Sequence, residues 1–179
     1  MSVVDYEKFQ VGQKVQDFHA QALLPDGSFK EVSLADYKGK WVVLFFYPLD
    51  FTFVCPTEIQ SFNKHYDEFK KLGAEVVAAS TDSVYSHQAW VANGLGKVKF
   101  PILGDTSHQV SKTFNVLLED KGIALRGTFI IDPAGILKSA VVNDLPVGRS
   151  VEETLRTVQA LQTGKLTGCG WKPGEKTLN

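Results

Sequence analysis

Only two cysteines occur in 179 residues. That is too few to staple a chain of this length, so a disulfide scaffold is excluded. The 19 basic and 20 acidic side chains nearly cancel, to a formal net charge of −1, and the signs are interspersed. The electrostatic footprint of a nucleic-acid or anionic-membrane binder is therefore missing. No segment approaches the length of a membrane span, and residues 1–8 lack the basic region and apolar core of a signal peptide. A cytoplasmic location is expected, and in that reducing compartment a pair of thiols is more often catalytic than structural. His19, His65, His87 and His108 show no ligand-like spacing with either cysteine, so no metal is expected. Internal repeats and low-complexity segments are also missing. What remains, 44% hydrophobic and 22% charged residues, suits one domain with a sizeable core.

One of the two cysteines occupies a telling place. Residues 41–47 form a continuous apolar run, the pattern of a strand buried on both faces. Downstream, Ile59, Phe62, Tyr66, Phe69 and Leu72 recur at three- and four-residue spacing, which predicts a helix over 56–72 with Gly73 as its stop signal. Pro56 suits a first helical position and Glu58 favours the positive helix end. Cys55 is thus expected at a helix N-terminus, where unpaired N–H groups and the helix dipole favour a nucleophilic thiolate. Thr52, one helical turn earlier, offers a hydroxyl to the sulfur or its substrate.

The rest of the chain alternates. Pro25-Asp26-Gly27 reads as a turn between short extended pieces, and 75–80 as a second buried strand. Residues 83–92 read as helix, 99–103 as a short strand and 107–114 as a short helix. Residues 127–131 and 136–142 flank Asp132-Pro133-Ala134-Gly135 as a hairpin whose second strand is a candidate open edge. Ser150-Val151-Glu152-Glu153 opens the last helix with a capping-box pattern, and Val151, Leu155, Val158 and Leu161 supply its inner face. These elements predict an α/β fold of thioredoxin-like arrangement, a central mixed β-sheet with helices on both faces. The expected division is a domain over 1–162 and a mobile, Gly-, Lys- and Thr-rich tail over 163–179 that carries Cys169.

Pro48, Thr52 and Cys55 stand in the order Pro-x-x-x-Thr-x-x-Cys, within Phe-Tyr-Pro-Leu-Asp-Phe-Thr-Phe-Val-Cys-Pro-Thr-Glu. This stretch resembles the peroxidatic motif of the peroxiredoxins. The similarity runs from about residue 11 to about residue 172 and takes in Asp82-Ser83-Val84-Tyr85-Ser86-His87-Gln88-Ala89-Trp90, Phe100-Pro101-Ile102-Leu103-Gly104-Asp105 and Arg126-Gly127-Thr128-Phe129-Ile130-Ile131-Asp132-Pro133. Within the family the chain is similar to the typical two-cysteine group, particularly the bacterial peroxidase subunit of alkyl hydroperoxide reductase. The resemblance implies a thiol peroxidase that works without haem, flavin, metal or other cofactor on hydrogen peroxide and organic hydroperoxides. It implies Cys55 as the peroxidatic thiol, Arg126 as the cation beside it and Pro48 as a shield from bulk water. Glu58 is expected to orient the guanidinium, with Arg149 a secondary candidate near the site. It further implies that Cys169 resolves the Cys55 sulfenic acid as an intersubunit disulfide. A thioredoxin or a flavoprotein disulfide reductase would recycle that disulfide. A homodimer assembling into a decamer of five dimers belongs to the same expectation.

Three departures from the family pattern bear on the resolving step. Gly168-Cys169-Gly170 stands where relatives usually carry Val-Cys-Pro, which predicts a more flexible backbone, with Trp171 restoring some packing. Asn93-Gly94-Leu95-Gly96 stands where oxidation-sensitive relatives have Gly-Gly-Leu-Gly, and no Tyr-Phe pair follows Cys169. Fast resolution and resistance to overoxidation are expected. Two other readings share the fold: a disulfide oxidoreductase, in which Thr52-Phe53-Val54-Cys55 replaces a Cys-x-x-Cys pair, and an oligomeric holdase.

Overall fold

The computed structural model describes residues 10–179. Residues 1–8, read above for a leader, lie outside the described residues. A hairpin of β1 (His19–Leu23) and β2 (Phe29–Ser33) turns at Pro25-Asp26-Gly27 as expected. The apolar run becomes β3 (Trp41–Phe46), followed by α1 (Cys55–Lys71), β4 (Ala74–Ser80) and α2 (Val84–Trp90). Next come β5 (Ile102–Gly104), α3 (Gln109–Thr113), a small ladder of β6 (Leu117–Leu118) with β7 (Ile123–Ala124), β8 (Arg126–Ile131), β9 (Leu137–Asn143) and α4 (Val151–Gln162). The main sheet has the order β2-β1-β5-β4-β3-β8-β9. Its centre, β5-β4-β3, is parallel, and the flanking pairs are antiparallel. This is the expected mixed sheet with helices on both faces.

Strand alternation in β3 explains why both faces are covered. Val43 and Phe45 point to one core with Ile59, Phe62 and Phe69 of α1 and Val151, Leu155 and Val158 of α4. Val42, Leu44 and Phe46 point to the other, with Phe18, Val110 and Phe114. Phe45 stacks on Phe62 with ring centroids 4.0 Å apart, and truncating such a ring to alanine costs about 3–5 kcal/mol. The rigid β3–α1 unit fixes the position of Cys55. Among the described residues no helix is long and apolar enough to cross a membrane.

Several local expectations shift. The strand expected at 99–103 is confined to Ile102–Gly104, because the Lys99 N–H donates to Asn63 Oδ1 instead of a ladder partner and Pro101 has no N–H to give. The helix expected over 83–92 ends at Trp90 and passes into a wider turn over Val91–Leu95, where Gly94 takes φ 144°. Only half of the capping box forms at α4. The Ser150 hydroxyl accepts from the Glu153 N–H, but the Glu153 carboxylate turns to Arg156. The tail after Gln162 is also anchored, with the Trp171 side chain buried.

Candidate active site

β3 delivers the chain through Tyr47 and Pro48, both buried, into a short loop that ends at Cys55, the first residue of α1. Along this loop Phe51 adopts a left-handed conformation, φ 55°, uncommon for a bulky side chain, and its ring lies 6.0 Å from that of Trp90. Phe53 is 94% exposed, whereas Cys55 two residues later is fully buried.

Three buried charges form a chain that begins at the sulfur, with Arg126 in contact with it, Glu58 on Arg126 and Arg149 on Glu58. Arg126, at the start of β8, is 3.3 Å from Cys55 Sγ through Nη1, and the same nitrogen donates to Glu58 Oε2 at 2.7 Å. Its Nε donates to the Leu145 carbonyl, 2.7 Å. Arg149, just before α4, grips both oxygens of Glu58, Nε to Oε1 at 2.8 Å and Nη2 to Oε2 at 2.9 Å. It also donates to the carbonyls of Gly127 and Phe46 and lies over the Phe45 ring, 5.2 Å from its centroid. Glycine is required at 127, since a Cβ there would lie 2.6 Å from the Phe129 ring and 2.8 Å from Val116. Glu58 thus contacts two guanidiniums, and Arg149, read from sequence as secondary, makes the larger share of the contacts.

The helix start differs from expectation. Val54 is itself helical in φ and ψ and provides no side-chain cap. Its carbonyl takes up the first-turn N–H groups of Thr57 and Glu58, at 3.0 and 3.3 Å, and the Thr57 hydroxyl, 2.6 Å. Those N–H groups are not left for the sulfur, so the direct donor is Arg126. Thr52 is also turned differently: its hydroxyl donates to the Leu49 carbonyl, 2.9 Å, leaving its oxygen lone pairs as acceptors.

A second cluster, not foreseen from sequence, pins the loop. His87 is fully buried, with Nδ1 2.8 Å from Asp50 Oδ2 and Nε2 3.0 Å from the Leu103 carbonyl. Tyr47 donates its hydroxyl to Asp50 Oδ1, 2.8 Å. The Asp50 N–H donates to Asp82 Oδ2, 2.7 Å. Burial, and then the neighbouring Asp50 carboxylate, pushes the Tyr47 phenol well above its ordinary value, keeping it a donor. Burial likewise raises the Asp82 carboxyl.

Cys169 lies apart from this site. Both cysteines are free thiols, Cys55 buried and Cys169 exposed in the tail.

The AhpC/TSA family model matches residues 11–140. Peroxiredoxin prdx-2 of Caenorhabditis elegans is 55% identical over 177 residues, covering 94% of this chain and 88% of that protein. The reduced 2-Cys peroxiredoxin of Plasmodium vivax superposes with a TM-score of 0.91 at 40% identity, covering 93% of this chain and 91% of that one. AhpC of Enterococcus faecalis does so with 0.85 at 41%, covering 89% and 98%. With the motif, the mixed sheet and the buried thiol in agreement with these matches, the chain belongs to the AhpC/TSA family and is a two-cysteine peroxiredoxin of the AhpC type, a thiol peroxidase.

Proposed function

We propose that Cys55 reduces hydrogen peroxide and organic hydroperoxides and that Cys169 resolves the product. The observation that carries this reading is a charge imbalance. Glu58 supplies one negative charge to two guanidiniums, Arg126 and Arg149, in a setting where all three side chains are at most 5% exposed. A buried cluster with one excess positive charge is costly unless an anion complements it, and the atom 3.3 Å from Arg126 is the Cys55 sulfur. An ionised sulfur brings the cluster to neutrality.

In the first step the Cys55 thiolate attacks one peroxide oxygen. The S–O bond forms as the O–O bond breaks, and the departing hydroxide or alkoxide takes up a proton to leave as water or alcohol. Arg126 is placed to stabilise both the thiolate and the charge developing on oxygen. The Thr52 hydroxyl, with its proton held by Leu49, offers lone pairs to a hydroperoxide O–H. Pro48, buried beside the loop, limits water. Glu58 and Arg149 hold the Arg126 fork in place. Cys55, now a sulfenic acid, is then attacked by the Cys169 thiol. Because β9 is an edge strand with Val141 and Val142 exposed, pairing with a second copy of this chain is favoured, and the disulfide would join subunits of a dimer and, by extension, a decamer. A thioredoxin or a flavoprotein disulfide reductase would restore both thiols by exchange.

Peroxide consumption with a thiol donor tests the assignment. Cys55→Ser is expected to show no turnover, and Cys169→Ser one oxidation event per chain. Non-reducing electrophoresis after one equivalent of peroxide is expected to give a dimer band that either substitution removes. Turnover by Cys55→Ser would overturn the reading.

A further inference from the structure

The loop between β3 and α1 packs against α2, which turns Val84, His87 and Trp90 inward. Trp90 meets Tyr47 and Phe51, each with its ring centroid 6.0 Å away. His87 stands one turn earlier on the same face and is fully buried. Both of its ring nitrogens face acceptors, Nδ1 the Asp50 carboxylate at 2.8 Å and Nε2 the Leu103 carbonyl at 3.0 Å. A neutral imidazole has one N–H and would leave one of these bonds unmade, whereas an imidazolium makes both. The Asp50 side chain is only 2% exposed, and a carboxylate so placed calls for a cation. Its other oxygen accepts from the Tyr47 hydroxyl, 2.8 Å, and its N–H donates to Asp82 Oδ2, 2.7 Å. Asp50 is therefore fixed at both side-chain oxygens and at its backbone.

From this arrangement we infer that His87 is a positioning residue for the peroxide-cleaving step: as an imidazolium paired with Asp50, it holds the loop in the conformation that engages the Thr52 proton and keeps the Thr52 lone pairs free. The inference rests on the roles proposed for Cys55 and Thr52. The chain of contacts is short. On one side of Asp50 lies Leu49, whose carbonyl takes the Thr52 hydroxyl proton at 2.9 Å. On the other lies Phe51, at φ 55°, a left-handed conformation that a bulky residue keeps only when its surroundings impose it. Loss of the Asp50 anchor lets Phe51 relax, and the Leu49 carbonyl then shifts relative to Thr52. A Thr52 hydroxyl released from that carbonyl rotates, and its lone pairs are no longer reserved for a hydroperoxide O–H. Because carboxylate and imidazolium cancel, the pair adds no net charge near the sulfur, so its effect is on the loop rather than on the thiolate.

Two rates, measured in the Cys169→Ser background where reagents report Cys55 alone, separate positioning from a change in the thiol. Oxidation by hydrogen peroxide draws on Thr52, whereas alkylation by iodoacetamide draws only on the thiolate. In His87→Gln, peroxide oxidation is expected to slow about tenfold, the equivalent of one lost hydrogen bond, with alkylation within about twofold of the parent. The double variant Asp50→Ala/His87→Gln, which leaves neither charge buried alone, is expected to give the same pattern and carries the test should His87→Gln not fold. Heteronuclear NMR of the unsubstituted protein gives an independent reading, with both His87 ring nitrogens expected to be protonated at neutral pH. Peroxide oxidation within about twofold of the parent in the folded variants, an equal fall in both rates, or a single protonated ring nitrogen overturns the inference. If peroxide leaves Cys55 of the parent itself unoxidised, the proposed function falls first, and the parent's own rate identifies that case.

Discussion

Around Cys55 a carboxylate and two guanidiniums are locked together in the interior, bonded through side chains that come from a helix, a strand and a loop. Around Cys169 there is one partly exposed arginine, Arg156, whose Nη1 donates to the Trp171 carbonyl, one indole and a turn flanked by glycines. The first region holds a sulfur in the interior, between β3 and α1, against a buried guanidinium. The second holds its sulfur at the surface by contacts weak enough to be released. The contrast matches the two tasks proposed: chemistry on a small peroxide rewards preorganised charge, whereas resolution requires a thiol to travel to a buried partner. It also shows that the two thiols owe their environments to different levels of structure, Cys55 to long-range packing and Cys169 to a local turn pinned by a single side chain.

The sharpest way to break this contrast is Glu58→Ala. Two buried guanidiniums would lose the only carboxylate that pairs with them among the described residues, and urea denaturation is expected to show a loss of about 3–5 kcal/mol; a loss below about 1 kcal/mol would mean that the cluster is not the rigid element described. Arg126→Gln should leave the fold largely intact yet slow Cys55 oxidation by about a hundredfold or more in stopped-flow kinetics. Trp171→Ala addresses the other region. Trypsin cleavage after Lys165 is expected to accelerate about tenfold, as opening the tail comes to cost about 1.4 kcal/mol less, with Cys55 oxidation unchanged. The smallest effect is expected at Glu75, remote from both thiols. Burial there opposes ionisation, but the bonds from Lys70 and Lys40, 2.6 and 3.1 Å, outweigh it and hold the carboxyl below its ordinary 4.5. A lowered folded value gives stability that is fully present above 4.5 and is lost below it, as pH falls through the lowered value of the folded protein. Glu75→Gln should therefore lower stability at pH 7 by about 0.5–1 kcal/mol and flatten the acid limb of the stability profile.

The β3–α1 unit was legible because both of its signals are local: a continuous apolar run, then Ile59, Phe62 and Phe69 at helical spacing. The hairpin of β8 and β9 was legible for the same reason, its turn chemistry lying within Asp132–Ile136, where Asp132 accepts from the Ala134 and Ile136 N–H groups. The motif also marked Cys55, Arg126 and Glu58. What no local pattern could supply is how Glu58 divides its oxygens between Arg126 and Arg149, because these partners lie 68 and 91 residues away. The Asp50–His87 contact spans 37 residues and escaped notice similarly, as a lone histidine on a helix is equally consistent with solvent. The expectation about helix-end N–H groups shifted because the Val54 carbonyl accepts the ordinary first helical bond from the Glu58 N–H and, in a tighter i+3 bond, the Thr57 N–H as well. The tail looked free because its composition is that of a linker, while one tryptophan and one arginine were enough to fasten it.

The central claim is that the sulfur of Cys55 is held ionised by the excess positive charge of a buried cluster and is primed to cleave an O–O bond. Stopped-flow mixing of the reduced Cys169→Ser protein with hydrogen peroxide, followed through the fluorescence of Trp90 beside the Cys55 loop, measures this directly. A second-order rate at least about a hundredfold above that of free cysteine is predicted; a rate equal to that of free cysteine would contradict the account.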